Sequence, residues 1–282
     1  GGKSQRRRGV RRAVVGLARG ALHMGTAMVW RSQGEWREDA ERVLAAEQQV
    51  GDGRGSVGEC LLCQCDVRFD PAADQREGML SHVWRCNARQ RAAAAVLLAE
   101  LKQQPRAKVY ATEQASPFYV ALRRRLPRLR GSEYLHSWRR RLWKSFWLWR
   151  RGIFVWIKHG DMTALRAGNA SLDAIISLDV LEHVPDHRAA LRECARVLKP
   201  GGVLVLTVPF HDREAASYQI ARVREDYSIE HVGAPEYHGD PLSGGVLCFH
   251  RFGWSLLDEL RQSGFSEVDA RRLQHPETAL PE

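Results

Sequence analysis

The stretch from Asp161 to Phe210, DMTALRAGNASLDAIISLDVLEHVPDHRAALRECARVLKPGGVLVLTVPF, constrains the fold more than any other part of the chain. Ala174 to Leu178 is a short apolar run with two β-branched residues, as in a strand buried on both faces. Leu181-Glu182-His183-Val184-Pro185 leaves that strand as a loop. Asp186 is suited to cap a helix, because its carboxylate can accept from the free N–H groups of the first turn. Ala190, Leu191, Cys194, Val197 and Leu198 recur at helical spacing, with Arg188, Arg192, Glu193 and Arg196 on the opposite face. Pro200 stops the helix, Gly201-Gly202 turns the chain, and Val203 to Val208 is a second buried strand. Two parallel strands joined by a crossover helix form a right-handed unit, so both strands end at the same edge of the sheet. That edge is where doubly wound α/β domains bind ligands.

Gly160-Asp161-Met162, Leu172-Asp173-Ala174-Ile175-Ile176, Leu181-Glu182-His183-Val184-Pro185 and Leu198-Lys199-Pro200-Gly201-Gly202, in this order and spacing, resemble the class I S-adenosylmethionine-dependent methyltransferases. The resemblance implies a Rossmann-like α/β fold, a seven-stranded sheet with helices on both faces. It also implies S-adenosylmethionine as cofactor. Lys108 to Glu113 is then the first strand, and Asn87 to Leu101, rich in Ala and Leu, the helix before it. The family's first loop usually carries glycines. Here it reads Glu113-Gln114-Ala115-Ser116-Pro117-Phe118-Tyr119. That resembles a subset with Glu-Gln-x-x-Pro-Phe-Tyr at this place. Ser116 can cap the following helix, Pro117 suits its first position, and the loop's N–H groups are available to a cofactor carboxylate. The second strand, Leu129 to Glu133, ends in an acid placed to accept from ribose hydroxyls. The resemblance thus assigns cofactor binding to Glu113, Gln114, Ser116, Glu133, Asp161, Met162 and Asp179. It gives Asp161-Met162 to the adenine and Asp179 to cofactor orientation.

Methyl transfer from a sulfonium is an in-line displacement that alignment can largely drive; a base is needed only for a poorly nucleophilic acceptor. The candidates are His183, beside the reacting position, and His238 and Asp240 in the polar passage after Phe210, since histidine titrates near neutrality. The subset's association with glycan and natural-product assembly suggests a sugar or small-molecule hydroxyl acceptor. A non-catalytic, methyltransferase-like binding module is the second reading.

Ahead of this domain, Cys60-Leu61-Leu62-Cys63-Gln64-Cys65 offers a Cys-x-x-Cys turn. Related layouts carry a small zinc knuckle here, closed by a second Cys-x-x-Cys. In this chain that second pair falls on Ser81 and Trp84. Cys60, Cys63, Cys86 and His82 are therefore the candidate zinc ligands, the alternative being a degenerate knuckle held by packing. The expected boundaries are a basic extension and linker over 1–58, the knuckle over 59–86, and the methyltransferase domain over 87–275, with an insertion at 137–152.

The net charge of +10 is uneven. Residues 1–34 hold eight basic side chains and no acid, and residues 123–151 hold eleven against Glu133 alone. The remainder is acidic, which argues against reading the overall charge as a nucleic-acid signal. In the first segment Val10, Val14, Leu17, Leu22 and Met24 between arginines suggest a basic N-terminal helix. In the second, Trp138 to Arg151 holds four of the nine tryptophans, and Leu142, Phe146 and Trp149 share a helical face. Both segments suit peripheral contact with an anionic membrane. Single-stranded nucleic acid and a lid or dimer helix are the other readings. No run reaches the ~18 apolar residues of a spanning helix. A cytoplasmic, membrane-peripheral location is expected.

Overall fold

The computed structural model describes residues 11–16, 27–42, 56–60, 62, 65–69, 80–81, 83–102, 104, 106–239 and 245–273. Strands β1 (Arg12–Gly16) and β2 (Ala27–Trp30) come first, then the hairpin β3 (Ser56–Cys60) and β4 (Cys65–Phe69). β5 (Val109–Ala111), β6 (Arg130–Gly131), β7 (Leu172–Leu178) and β8 (Leu198–Thr207) follow. The passage after β8 holds six short strands: β9 (Tyr218–Gln219), β10 (Ala221–Val223), β11 (Ile229–His231), β12 (Tyr237–His238), β13 (Val246–Leu247) and β14 (His250–Arg251). β15 (Glu267–Leu273) comes last. The helices are α1 (Gln33–Glu38), α2 (Ala88–Glu100), α3 (Pro117–Arg125), α4 (Trp138–Trp149), α5 (His187–Val197) and α6 (Ser255–Gln262).

The central sheet has seven strands in the order β2-β15-β1-β8-β7-β5-β6. Every pairing is parallel except β15 with β2. Alternation along the strands divides the core into two layers. Val14, Ala174, Ile176, Val203 and Val205 face a layer that includes Ala93, Ala94 and Leu97 of α2 and Phe118 and Leu122 of α3. Ala13, Val15, Ile175, Leu204 and Leu206 face the other, with Ala190, Leu191 and Cys194 of α5 and Leu256, Leu257 and Leu260 of α6. Side chains that point to opposite faces at successive positions require this division. The expected Rossmann-like sheet with helices on both faces is therefore present.

The predicted caps of α3 and α5 are present, and α2 carries a further one. Asn87 and Gln90 form a reciprocal capping box at α2. Asp186 Oδ1 accepts from Ala189 N at 2.8 Å at the start of α5. Ser116 Oγ accepts from Tyr119 N at 3.0 Å at the start of α3, with Pro117 in the first turn.

The N-terminal expectation is corrected. Residues 12–16 are not part of a basic helix but a strand inserted between β8 and β15, with Arg12 opposite both Val203 and Glu267. Ala13, Val14 and Val15 are buried on both sides, which suits a β-branched run at the centre of a parallel sheet. The boundary expected near residue 87 fails for the same reason, because β1 and β2 complete the sheet. The antiparallel edge strand is β2, and β15 lies one position inside it.

Candidate active site

The residues expected to bind the cofactor gather at the carboxyl ends of β5, β6 and β7. Chain order reverses there, since β5 leads outward to β6 while β7 leads the other way to β8. Such a switch point opens a crevice. Glu133 follows β6, makes an isolated parallel bridge with His159, and holds the loop after β5 in place. Its Oε1 accepts from Gln114 N at 2.8 Å and from Ala115 N at 2.6 Å. These two amides are thus committed to Glu133, not offered to a cofactor carboxylate as the sequence suggested. Glu133 Oε2 has no hydrogen bond among the described residues and stays available to a hydroxyl.

The loop needs no glycine because none of Glu113 to Ser116 has a positive φ. Glycines serve the close approach elsewhere. A Cβ on Gly131 would lie 2.7 Å from the Glu113 carbonyl oxygen, and one on Gly160 would lie 1.8 Å from Ser132 Oγ. Both glycines let the ends of adjacent segments touch.

Burial pushes the Glu113 carboxyl up to about 7; Ser116 and Arg89 oppose the rise, and Glu133 and Asp179 add to it. Asp179 sits just past β7 with φ 49°, a strained conformation for a non-glycine residue of the kind that gathers at functional sites. Arg89 Nη1 lies 3.2 Å from Asp179 Oδ2 and donates to Thr207 Oγ1 at 3.2 Å, while Thr207 Oγ1 donates to Asp179 Oδ1 at 3.0 Å. Sequence reasoning assigned no role to Arg89 or Thr207. The Asn87-Ala88-Arg89-Gln90-Arg91 run at the helix start was the available signal.

Two assignments are modified. Gln114 is 3 % exposed. Its side chain turns inward, with Nε2 donating to the Trp156 carbonyl and Oε1 accepting from Lys158 N, each at 3.4 Å. It therefore packs the wall. Asp161 Oδ1 accepts from Thr163 N at 2.8 Å and Thr163 Oγ1 at 2.7 Å, which closes an Asx turn and leaves its second oxygen. Met162 is buried against Ser177 at the end of β7.

On the acceptor side the structure brings together two of the three predicted catalytic residues. His183 ends a short 3-10 turn, Leu181–His183, and His238 lies on β12. Their rings meet edge to face at 5.7 Å. Asp240 lies outside the described residues. Cys248, overlooked in the sequence, completes the group with its Sγ 3.9 Å from His183 Nδ1. Burial alone would lower His183, but Cys248, the Leu247 carbonyl and Glu182 raise it above the ordinary imidazole value. Cys248 and Glu182 push His238 up to about 10, so it is cationic at neutrality. Burial would raise the Cys248 thiol, yet the two imidazoles bring it below its usual value. A second unpredicted cluster anchors the loop between them. His187 bonds to Glu259 of α6, and His250 Nε2 bonds to the Pro185 carbonyl at 3.0 Å.

Of the four knuckle candidates, Cys60 and Cys86 are buried in the apolar layer around α2. Burial pushes the Cys86 thiol up to about 12, with Cys60 and Glu113 adding to it. Cys63 and His82 lie outside the described residues.

The switch point of this doubly wound sheet thus holds Asp179 paired with Arg89, with Glu113 and Glu133 at the ends of the neighbouring strands. Residues 94–206 match the family described as methyltransferase domain. The chain is 30% identical over 131 residues to a protein of Mycolicibacterium smegmatis described as a probable S-adenosylmethionine-dependent methyltransferase, covering 41% of this chain and 47% of that one. It is 43% identical over 67 residues to a ubiquinone biosynthesis O-methyltransferase of Xanthomonas oryzae pv. oryzae, covering 24% and 26%. The chain thus spans about half or less of the length of these relatives. A solved S-adenosylmethionine-dependent methyltransferase from Mesorhizobium loti aligns with a TM-score of 0.40 and 17% identity, over 62% of this chain and 80% of that one.

Proposed function

We propose that the chain transfers a methyl group from S-adenosylmethionine to a hydroxyl of a small molecule or sugar. The observation that carries this reading is the carboxylate set Glu113, Glu133 and Asp179 at the switch point, with one Glu133 oxygen free. The fit is one of charge. The cofactor has a cationic amino group, a cationic sulfonium and a ribose diol, and the site presents three acids held by Arg89, Thr207 and two loop amides. Glu133 would take the ribose, Asp161 the adenine amine through its remaining oxygen, and Glu113 with Asp179 the cationic end. When bound, the cofactor supplies an electrophilic methyl. The protein's part is to align the acceptor and exclude water. The name of the Xanthomonas relative agrees with a hydroxyl acceptor. With His238 cationic at neutrality, His183 is the better candidate to hold the departing hydroxyl proton. The test is acceptor-dependent release of S-adenosylhomocysteine across sugars, phenols and aliphatic alcohols. Release with at least one hydroxyl acceptor is expected. Release with none of them, by protein that binds the cofactor, would contradict the hydroxyl assignment.

A second property rests on α4. Its buried residues are Ser145 and Leu148. Trp138, Trp143 and Phe146 are exposed, as are Phe154 and Trp156 beyond it, where Phe154 is 82 % accessible. Arg139, Arg140, Arg141, Lys144, Arg150 and Arg151 surround them. We infer peripheral contact of this face with an anionic lipid surface, the chemistry that takes both aromatic rings and cations. Of the residues that suggested a basic N-terminal helix, Val14 lies in the sheet, and Val10, Leu17, Leu22 and Met24 lie outside the described residues. No helix among the described residues is long and apolar enough to cross a membrane. Co-sedimentation with phosphatidylserine-containing vesicles should fall by about tenfold in the Trp143→Ser, Phe146→Ser double variant; unchanged partition would count against the contact.

A further inference from the structure

We propose that His183, His238 and Cys248 form a site for one divalent ion of the zinc class, with Glu182 and Glu236 as its outer carboxylates. Each of the three offers one ligand atom, and these atoms all lie within 4.8 Å of one another. Zinc binds imidazole and thiolate at ~2.0–2.3 Å, so small side-chain rotations close the set. His238 is supported as metal ligands usually are, with a carboxylate hydrogen-bonded to its second ring nitrogen, and His183 has a carboxylate nearby. Glu236 Oε1 lies 3.0 Å from His238 Nε2, and Glu182 Oε1 lies 3.9 Å from His183 Nε2. The other nitrogen of each ring, Nδ1, is the one presented to a metal. His183 Nδ1 also faces the Leu247 carbonyl at 2.8 Å, whose shared proton a metal would replace.

Glu182 supplies an independent observation. It is 1 % exposed, and neither carboxylate oxygen has a hydrogen-bond partner. Its Oε1 lies 3.6 Å from His238 Nδ1. A buried, unsatisfied carboxylate beside two imidazoles calls for positive charge within the group, and a divalent ion shared by those imidazoles provides it. The site also has a structural logic. It ties β12 and the Leu247-Cys248 segment to the turn after β7, where the acceptor must lie.

Three protein donors leave a fourth position open, the arrangement of catalytic rather than closed structural zinc sites. An acceptor hydroxyl bound there would be acidified. That consequence rests on the methyl-transfer reading, whereas metal binding does not, and it is tested without cofactor or acceptor. Chelator-treated full chain is titrated with cobalt(II), then with zinc. One equivalent of cobalt should bind with a thiolate-to-cobalt charge-transfer band, and zinc should displace it. The band should vanish in Cys248→Ser and persist in Cys60→Ser. Glu236→Gln, a change at a partly exposed residue, should weaken cobalt binding by about ten- to a hundredfold. No cobalt uptake by wild type would overturn the proposal and leave the His238 imidazolium alone to balance Glu182. A charge-transfer band that survives in Cys248→Ser would overturn it as well, by placing the metal on other cysteines.

Discussion

The proposed cofactor half and the proposed acceptor half of this molecule are built in different ways. The cofactor half lies at the ends of β5, β6 and β7, where each acid directly follows a strand and the sheet sets its position. The acceptor half joins His183, at the end of a short turn, to His238 and Cys248 from a distant passage of two-residue strands. The N-terminal side of the sheet resembles the acceptor half, because β1 from one end of the chain is clasped between β8 and β15. Where strands fix the geometry, Asp179 is paired with Arg89 and Glu133 holds two loop amides without any glycine in the loop. Where loops must meet, the structure relies on polar contacts, Glu236 with His238 and His187 with Glu259, to hold the approach.

The largest expected effect breaks the non-local half. A chain beginning at residue 87 lacks β1 and β2 and exposes the facing edges of β8 and β15. It should fail to give a cooperative thermal transition and should aggregate. A soluble monomer with a cooperative melt would show that β1 is dispensable and restore the domain boundary at 87.

Glu133→Ala comes next. It removes a hydrogen-bond acceptor worth roughly 1.5–3 kcal/mol per charge-assisted bond, so cofactor affinity should fall by about ten- to a hundredfold or more by calorimetry. It also orphans the amides of Gln114 and Ala115. Glu133→Gln keeps an acceptor oxygen for those amides and should retain more stability than affinity. Equal loss of both in the two variants would mean that Glu133 only staples the loop.

Glu113 gives a smaller effect with opposite signs for affinity and stability. Its carboxyl titrates at about 7 in the folded chain against an ordinary 4.5. Between those values the folded protein holds a proton that the unfolded chain has lost, so the apo protein loses stability as pH rises through this window. A cationic cofactor prefers the ionised form, whose population rises by about tenfold from roughly pH 6 to 8. Affinity should therefore rise as stability declines, and Glu113→Gln should flatten both profiles. Parallel trends would show that Glu113 does not face the cation.

These contrasts track what the sequence could reveal. Ala174 to Leu178, the Asp186 cap and the apolar stripe of α5 are local signals and stand where the spacing put them, whereas Pro200-Gly201-Gly202, expected as a turn ahead of the strand, lies within β8 at an irregularity of its pairing with β7. The strand-end acids Glu113, Glu133 and Asp179 were legible because strands deliver them to one edge. Ala13-Val14-Val15 was misread because arginines flank it and its partners, Val203 to Thr207 and Glu267 to Arg271, lie far away in the sequence. Arg89 was missed because the Asn87-to-Arg91 run marks a helix start without showing that its arginine will be buried against Asp179. Cys248 carries no local signal, since its meeting with His183 depends on how the chain folds back after β8.

The central claim is that the glycine-free loop after β5, fixed by Glu133, still forms an S-adenosylmethionine pocket. Calorimetric titration of the intact chain with S-adenosylhomocysteine tests it most directly. The account predicts saturable binding at one site, weakened in Glu133→Ala and Asp161→Ala and unaffected by Trp143→Ser. Absence of saturable binding by properly folded protein would contradict it and leave a methyltransferase fold without its cofactor.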